Sequence, residues 1–401
     1  MAEEPADRGI RPSTGDPLAP WRGGVAVRPV SEAAGRHTIH SYYTASPESP
    51  DGSRVLYLTS TTPDAQEGEL RILERATGKE QVIARGVTVE DAHRVACQQW
   101  VSRGRVVFHD VRDGHWLVAV VDLDTGRERI LARDRQLGWG QPRSNPECLP
   151  GADQSNPRLE RGQPDADEVP VYGCHWNPGE HRDLEMVNVE TGAVRTVVTA
   201  SAVKEAYPEW IARQFGGREV SIFFPVLSPD RKRVFFKMAA PAGGDFRSPK
   251  ASTREGLICY DLGQSRLLFM RKNWGHPAWA PDARTIIEVG NVLIDSDTGH
   301  TRRIPGLPTF PGSHPSISPD GRLFVTDVML GKMGGQKGEW GIAVGRMDGG
   351  EHAIIHRFDN SRGARSWRRS HPHPSFSPDG RRIYFNVSAT EWTRLYVAEA
   401  R

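Results

Sequence analysis

Short runs of apolar residues recur along the chain, and many of them follow the same tight-turn motif. The runs VLYL (55–58), VFF (234–236) and IYF (383–385) are typical. In the motif, proline fixes φ for a turn that Asp or Gly completes, so each copy predicts a hairpin turn between two strands. The copies are 49–52 (SPDG), 228–230 (SPD), 280–282 (APD), 318–321 (SPDG) and 377–380 (SPDG), with a weaker copy at 102–104 (SRG).

A second kind of turn follows several of these runs. It occurs at 76–78 (ATG), 124–126 (DTG), 190–192 (ETG), 297–299 (DTG) and 347–349 (MDG). Strand, turn, strand, loop, strand, turn and strand make one four-stranded propeller blade. We therefore predict an all-β fold, a seven-bladed β-propeller of four-stranded antiparallel blades around a central channel. The predicted blades are residues 38–88, 93–135, 168–200, 220–268, 274–306, 312–357 and 371–401.

The segments between and before the blades have no such periodicity. Residues 1–22 predict a disordered or extended N-terminal segment, and 23–401 a single propeller domain. A strand around 24–29 is expected to complete the last blade. Residues 136–170 are rich in turn formers and predict an insertion loop between blades, and 202–215 predicts the single short helix.

Composition narrows the classes of function. The 52 basic and 50 acidic residues leave a net charge of +2, which argues against a nucleic-acid partner held by bulk electrostatics. No apolar run approaches the ~20 residues that cross a bilayer, and the polar N-terminus has no signal segment. We expect no membrane partner, a monomer or small homo-oligomer, and a cytoplasmic protein as given, or a secreted one after signal removal. The four cysteines form no CxxC pair, which gives zinc-ribbon and thioredoxin-like sites little support.

Aligning the turn motifs brings three histidines into register. His276, His314 and His373 each stand six residues before the Asp of the turn, where the preceding blade has Phe224. Equivalent positions on adjacent blades converge at the mouth of a propeller channel, and His371 shares the strand face of His373. One imidazole per blade is suitable for binding a divalent metal. The alternative is a repeat position where His forms a hydrogen bond to the neighbouring blade.

Other side chains are candidates for binding a sugar acid. Trp274 and Trp279 lie next to candidate histidines and are suitable for stacking on a sugar, and Arg254 and Arg368 are suitable for an anionic ligand. Blade packing and solvated surface are the respective alternatives.

Three segments resemble a known family. WGHPAWAPD (274–282), GSHPSISPDG (312–321) and SHPHPSFSPDGRRIYFN (370–386) are similar to the oligogalacturonate lyases, seven-bladed polysaccharide lyases. The resemblance implies a divalent metal, usually manganese, held by His314, His371, His373 and a Gln three residues before the pair. Here that position is Arg368, so calcium or zinc stays open as the metal. The resemblance also implies His276 as the catalytic base, with Arg254 as the assisting arginine.

Blade 2 is also similar to the ulvan lyases, which are related propellers. In that interpretation His93, His115 and a tyrosine, Tyr207 or Tyr260, join the catalytic site. Both resemblances imply β-elimination in an acidic oligo- or polysaccharide, in which a metal or Arg neutralises the uronate carboxylate while His or Tyr removes the C5 proton. The repeat itself also resembles that of TolB-type proteins, so the alternative is a non-catalytic propeller that binds a protein or peptide.

Overall fold

The propeller architecture arises from seven antiparallel sheets that follow one another along the chain. The computed structural model describes residues 15–140 and 167–400, apart from Asp245, Trp274 and Ser313. Six of the sheets have four strands and one has five. The predicted seven-bladed β-propeller of four-stranded blades is thereby confirmed.

The first strand of the chain belongs to the last blade, and blades 1 to 3 follow it. The strands are β1 (Ala26–Pro29); in blade 1, β2 (His37–Ile39), β3 (Arg54–Ser60), β4 (Glu67–Glu74) and β5 (Glu80–Thr88); in blade 2, β6 (Gln99–Ser102), β7 (Arg105–Arg112), β8 (His115–Asp122) and β9 (Glu128–Arg133); and in blade 3, β10 (Arg135–Leu137), β12 (Glu168–Gly173), β13 (Leu184–Asn188) and β14 (Val194–Val198).

Blade 4 carries the fifth strand, and blades 5 to 7 have very short first strands. The strands are, in blade 4, β11 (Trp139–Gly140), β15 (Ser221–Leu227), β16 (Arg233–Pro241), β17 (Ser252–Asp261) and β18 (Arg266–Arg271); in blade 5, β19 (Ala278–Trp279), β20 (Thr285–Glu288), β21 (Val292–Asp295) and β22 (Thr301–Arg303); in blade 6, β23 (Ser316–Ile317), β24 (Leu323–Val328), β25 (Glu339–Arg346) and β26 (His352–Asp359); and in blade 7, β27 (Ser375–Phe376), β28 (Arg382–Val387) and β29 (Arg394–Glu399).

The repeated turn is built the same way in several blades, as blade 6 illustrates. The Ser318 hydroxyl lies 2.6 Å from a carboxylate oxygen of Asp320 and accepts the amide N–H of Leu323 at 2.9 Å. Gly321 has φ +71°, a value that glycine adopts without steric cost. The Ser-Pro-Asp-Gly sequence therefore fixes the hairpin between the first two strands of the blade.

The ring is closed by pairing the two ends of the chain. Strand β1 runs antiparallel to β29, with Ala26 opposite Glu399, so the expected N-terminal strand of the last blade is present. Ahead of it, helix α1 (Ala19–Arg22) places the buried Trp21 edge-on to Phe376, with ring centroids 6.1 Å apart. The prediction of an extended or disordered segment is therefore wrong for residues 15–22, because their apolar side chains pack on blades 6 and 7. Residues 1–14 lie outside the described residues.

Two other predicted segments are also corrected. The single helix expected at 202–215 is two helices, α2 (Ala200–Ala206) and α3 (Pro208–Phe215), because Pro208 starts a new helix in the first-turn position that suits proline. The ends of the predicted insertion 136–170 form strands in blades 3 and 4, and residues 141–166 lie outside the described part of the chain. No helix within the described ranges is long and apolar enough to span a membrane.

Candidate functional site

Three short inner strands place the aligned histidines at the centre of the ring. His276, His314 and His373 each precede a proline and lie two residues ahead of β19, β23 and β27, respectively. His373 has φ +47°, a left-handed conformation that is uncommon outside glycine and concentrates at functional sites.

The second strand of each of these blades anchors the segment that carries its histidine. Glu288 accepts the backbone N–H of His276 at 2.6 Å, and Asp327 accepts that of His314 at 3.1 Å. In blade 7, the Asn386 side chain donates to the carbonyl of His371 at 3.3 Å. One polar residue per second strand therefore holds each histidine segment in position.

Four histidines meet at one point. The ligating nitrogens of His93, His314, His371 and His373 all lie within 4.8 Å of one another, and we call these four residues the histidine cluster. The ring of His373 is 4.3 Å from those of His314 and His93 between centroids. The structure therefore brings together the three predicted metal ligands and adds His93, which sequence reasoning had assigned to catalysis.

His93 reaches the cluster from the turn between β5 and β6. A carboxylate oxygen of Asp91 accepts the backbone N–H of His93 at 2.7 Å and that of Arg94 at 2.9 Å. The Arg94 side chain in turn donates to Glu90 at 2.5 Å. This capped turn is buried and holds the backbone of His93 beside the other three histidines.

The electrostatics of the cluster favour metal-binding imidazoles. Burial, followed by neighbouring charges, lowers the pKa of His371 to about 3 and holds the pKa values of His93 and His373 well below the usual range. Asp327 lies 2.7 Å from Nδ1 of His314, which leaves Nε2 facing the cluster as the ligand atom. Because a metal ligand must be a deprotonated imidazole nitrogen, His93, His371 and His373 are in the required form at neutral pH.

Unsatisfied nitrogens show that the residues fit a metal. Among the described residues, Nε2 of His314, Nδ1 of His371 and both ring nitrogens of His93 and His373 are buried without a hydrogen-bond partner. A buried polar atom without a partner costs about 1–3 kcal/mol, and native structures contain few of them. A divalent cation at the centre would satisfy one nitrogen of each ring.

His276 lies beside the cluster without belonging to it. Its ring centroid is 4.8 Å from that of His314 and 6.5 Å from that of Tyr43, and its side chain is half-buried. Burial, then the charges of His314 and Lys237, holds the pKa of His276 well below its ordinary value. A neutral imidazole at this position can accept a proton.

Two arginines share an aromatic ring near the cluster. The guanidinium carbons of Arg254 and Arg368 lie 5.7 and 5.2 Å from the Trp367 ring centroid. Burial, then the charge of Arg368, lowers the pKa of Arg254 to about 10, so Arg254 still carries its charge at neutral pH. Two guanidinium groups held this close are suitable for binding a carboxylate.

Several predicted site residues lie elsewhere. His115 is exposed at the start of β8 and pairs with Asp134 at 2.8 Å. Tyr207 is half-buried between α2 and α3 and packs on an apolar cluster, and the Tyr260 hydroxyl donates to the carbonyl of Val197 at 3.3 Å. The structure places none of these three with the histidine cluster.

Trp279 packs in the hydrophobic core instead of facing the site. Trp279 is 5% exposed, stacks on Phe235 and donates its indole N–H to the carbonyl of Val226 at 3.0 Å. A ring buried in the core between blades 4 and 5 cannot stack on a sugar, so its interpretation as a sugar platform is wrong. Trp274 lies outside the described residues.

Two aromatic residues next to the site were not found from the sequence. Tyr42 packs against the cluster, 4.6 Å from the ring of His373, and stacks on Trp139. Both arginine guanidiniums lie over the ring of Trp367. The signal for Tyr42 was present, because it follows the first strand of blade 1, whereas Trp367 lies in a loop that has no counterpart in the repeat.

Comparison with known proteins provides structural neighbours. No family model matches the chain, and no curated protein matches it in sequence. The crystal structure of an oligogalacturonate lyase from Vibrio parahaemolyticus matches with a TM-score of 0.61 at 16% identity, over 94% of this chain and 94% of that one.

Two further structures match less well. An oligogalacturonate lyase in complex with manganese has a TM-score of 0.40 at 14% identity, over 94% of this chain and 96% of that one. TolB from Acinetobacter baumannii has a TM-score of 0.43 at 13% identity, over 75% of this chain and 63% of that one. TM-scores below 0.5 support no conclusion about this chain. The relation to ulvan lyases stays a prediction. The first comparison establishes that this chain shares the fold of the Vibrio parahaemolyticus oligogalacturonate lyase over nearly its whole length.

Proposed function

We propose that the protein is a polysaccharide lyase that cleaves a uronate-containing oligo- or polysaccharide by β-elimination. The observation that carries the proposal is the position of His276, a neutral imidazole 4.8 Å from a ring of the four-histidine cluster. The fold shared with an oligogalacturonate lyase supports an acidic saccharide as the substrate.

The reaction requires a charge sink and a base. The C5 proton of a uronate leaves only when the charge of the adjacent carboxylate is neutralised. His93, His314, His371 and His373 would hold the divalent metal, which when bound supplies Lewis-acid stabilisation of that carboxylate. The family resemblance favours manganese, with calcium and zinc as alternatives.

The chain's own groups complete the chemistry. The Arg254 and Arg368 guanidiniums bind and orient the carboxylate of the uronate. A ring nitrogen of His276 takes the C5 proton, the C5–H electron pair forms the C4–C5 double bond, and the C4–O bond breaks towards the leaving sugar. The leaving oxygen takes up a proton from water, and the hydroxide left behind takes the proton from His276, which restores the base. Because the C5–H electron pair forms the new double bond, no nucleophile on the protein is needed.

The test measures the unsaturated uronate product by its ultraviolet absorbance. Oligogalacturonate, ulvan and glucuronan fragments are each supplied with and without Mn²⁺, Ca²⁺ and Zn²⁺. We expect one substrate to give a rising signal, and His276→Ala to lower its rate by about 10²–10⁴-fold. His300→Ala is the matched control, because His300 is an exposed histidine in the same blade, and it is expected to retain full activity.

Two results would contradict the proposal. No product from any substrate with any metal would favour the non-catalytic propeller that binds a protein or peptide. Full activity in His276→Ala would remove this residue as the base.

A further inference from the structure

We infer that His93 completes an all-imidazole metal centre, and that this centre selects zinc-class cations (Zn²⁺, Co²⁺, Ni²⁺, Cu²⁺) over Mn²⁺ and Ca²⁺. The inference rests on the metal site of the proposed function, but it can hold or fail independently of lyase activity. It reverses the order of metals that the family resemblance favours.

The ring of His93 lies close to the rings of the other three histidines. Its ring centroid lies 4.3 Å from that of His373, 4.6 Å from that of His371 and 5.4 Å from that of His314. The side chain is 1% exposed. Neither ring nitrogen has a hydrogen-bond partner in the described part of the chain, so packing alone leaves both polar atoms unsatisfied.

The capped turn gives His93 little freedom to turn away. Asp91 accepts its backbone N–H, and Arg94, the next residue, is tied to Glu90. The ring also contacts Tyr42 edge-on, with centroids 5.6 Å apart. A side chain fixed by its own backbone and by an aromatic neighbour is a preorganised ligand.

The donor atoms of the candidate metal centre are all imidazole nitrogens. The group of mutually close donor atoms found among the described residues consists of four imidazole nitrogens, without a carboxylate oxygen or a thiolate. Asp327 lies in the next shell, where it contacts Nδ1 of His314 instead of the centre. Imidazole nitrogen is suited to Zn²⁺, Cu²⁺ and Ni²⁺, whereas Mn²⁺ and Ca²⁺ prefer oxygen ligands.

The Irving–Williams order points the same way. For a given nitrogen site, affinity rises from Mn²⁺ through Co²⁺ and Ni²⁺ to Cu²⁺ and is higher for Zn²⁺ than for Mn²⁺. Without an oxygen ligand, nothing in the inner shell offsets this order. We therefore expect Zn²⁺ to bind about a hundredfold more tightly than Mn²⁺, and Ca²⁺ more weakly than either.

The experiment titrates metal into the whole chain after chelator treatment, without substrate. Calorimetry gives the stoichiometry and affinity for Zn²⁺, Co²⁺ and Mn²⁺, and the visible spectrum of the Co²⁺ form reports its coordination. We expect one Zn²⁺ per chain, a loss of about a hundredfold in Zn²⁺ affinity in His93→Ala, and a changed Co²⁺ spectrum. His93→Gln replaces nitrogen with an amide oxygen and should narrow the gap between Zn²⁺ and Mn²⁺.

His115→Ala is the control, since it removes an exposed imidazole from the neighbouring blade 2 without touching the cluster. If His93→Ala does not fold, X-ray absorption at the zinc edge of the wild-type protein counts the imidazoles directly. Mn²⁺ binding as tight as Zn²⁺, three imidazoles instead of four, or an unchanged affinity in folded His93→Ala would overturn the inference. Zinc bound through His93 in a protein without lyase activity would instead refute the proposed function alone.

Discussion

Removing the charge of Glu90 should destabilise the protein far more than removing a surface carboxylate. Glu90 and Arg94 are both buried, at 0% and 2% exposure. One carboxylate oxygen of Glu90 accepts a hydrogen bond from the Arg94 guanidinium at 2.5 Å and lies 3.1 Å from Nε2 of His175. The other oxygen accepts a hydrogen bond from the side-chain amide of Gln136 at 3.1 Å. Burial raises the pKa of Glu90, but Arg94 and His175 outweigh it and hold that pKa well below its ordinary value.

The size of the effect follows from what the substitution leaves behind. Glu90→Gln preserves the shape but strands the Arg94 charge inside the protein, with Asp91 3.8 Å away as its nearest remaining partner of opposite charge in the described residues. Breaking a buried pair in this way costs about 3–5 kcal/mol. At an unfolding entropy of about 2 cal/mol/K per residue, the 401-residue chain should lose about 4–6 °C of Tm.

The assay is thermal and urea unfolding of the metal-free protein near pH 7. Glu69→Gln is the control, because Glu69 pairs with Arg71 and Arg85 at a partly exposed position, and it should cost about 0–1 kcal/mol. The double variant Glu90→Gln with Arg94→Met should recover part of the loss, because it removes the stranded guanidinium, and burial raises the pKa of Asp91, the carboxyl that then loses its partner. Equal losses for Glu90→Gln and Glu69→Gln, or no recovery in the double variant, would refute the reasoning.

Three further predictions concern metal binding, substrate binding and the pH dependence of folding stability. Asp327→Asn should weaken metal binding by about 10–100-fold, measured by calorimetry, because Asp327 orients the His314 ring; unchanged affinity would contradict that role. Arg368→Gln should raise KM for the uronate substrate more than it lowers kcat, in steady-state kinetics, if the guanidinium binds the ground-state carboxylate; an unchanged KM would exclude this. Burial lowers the pKa of His109 to about 4. Between about pH 6.5 and 4, His109 is therefore protonated in the unfolded chain but not in the folded protein. As the pH drops through this window, folding stability falls by about 1.4 kcal/mol per pH unit. In His109→Gln, urea unfolding over the same range should show a slope smaller by about one proton, and an identical slope would contradict the assignment.

The repeat made part of the site predictable. Because His276, His314 and His373 share a register with the turn motif, a periodic sequence feature was enough to place them on adjacent blades. The closing strand β1 was likewise predictable, since a last blade that lacks one strand must recruit it from elsewhere in the chain. An acidic residue at the end of an apolar strand, as Asp327 is in β24, was a readable signal for an anchoring group.

The rest depends on contacts that no repeat encodes. His93 lies in a turn outside the register and approaches the cluster only because the ring brings blades 2 and 7 together. The sequence around Trp279 does not show whether its ring faces a sugar or the core. The hydrogen bond from its indole to the carbonyl of Val226 shows that the ring lies in the core. The break between α2 and α3 at Pro208, by contrast, follows from the rigidity of proline and could have been predicted.

Ring closure determines when the histidine cluster can exist. His93 precedes blade 2, whereas His371 and His373 belong to the blade that β1 and β29 seal. A nascent chain that has emerged only through blade 6 therefore lacks two of the four ligands. A cation held by all four would connect the first part of the chain to its last blade across this seam. Loading such a cation would then be a late event of biogenesis, and its removal would loosen the propeller first at that seam.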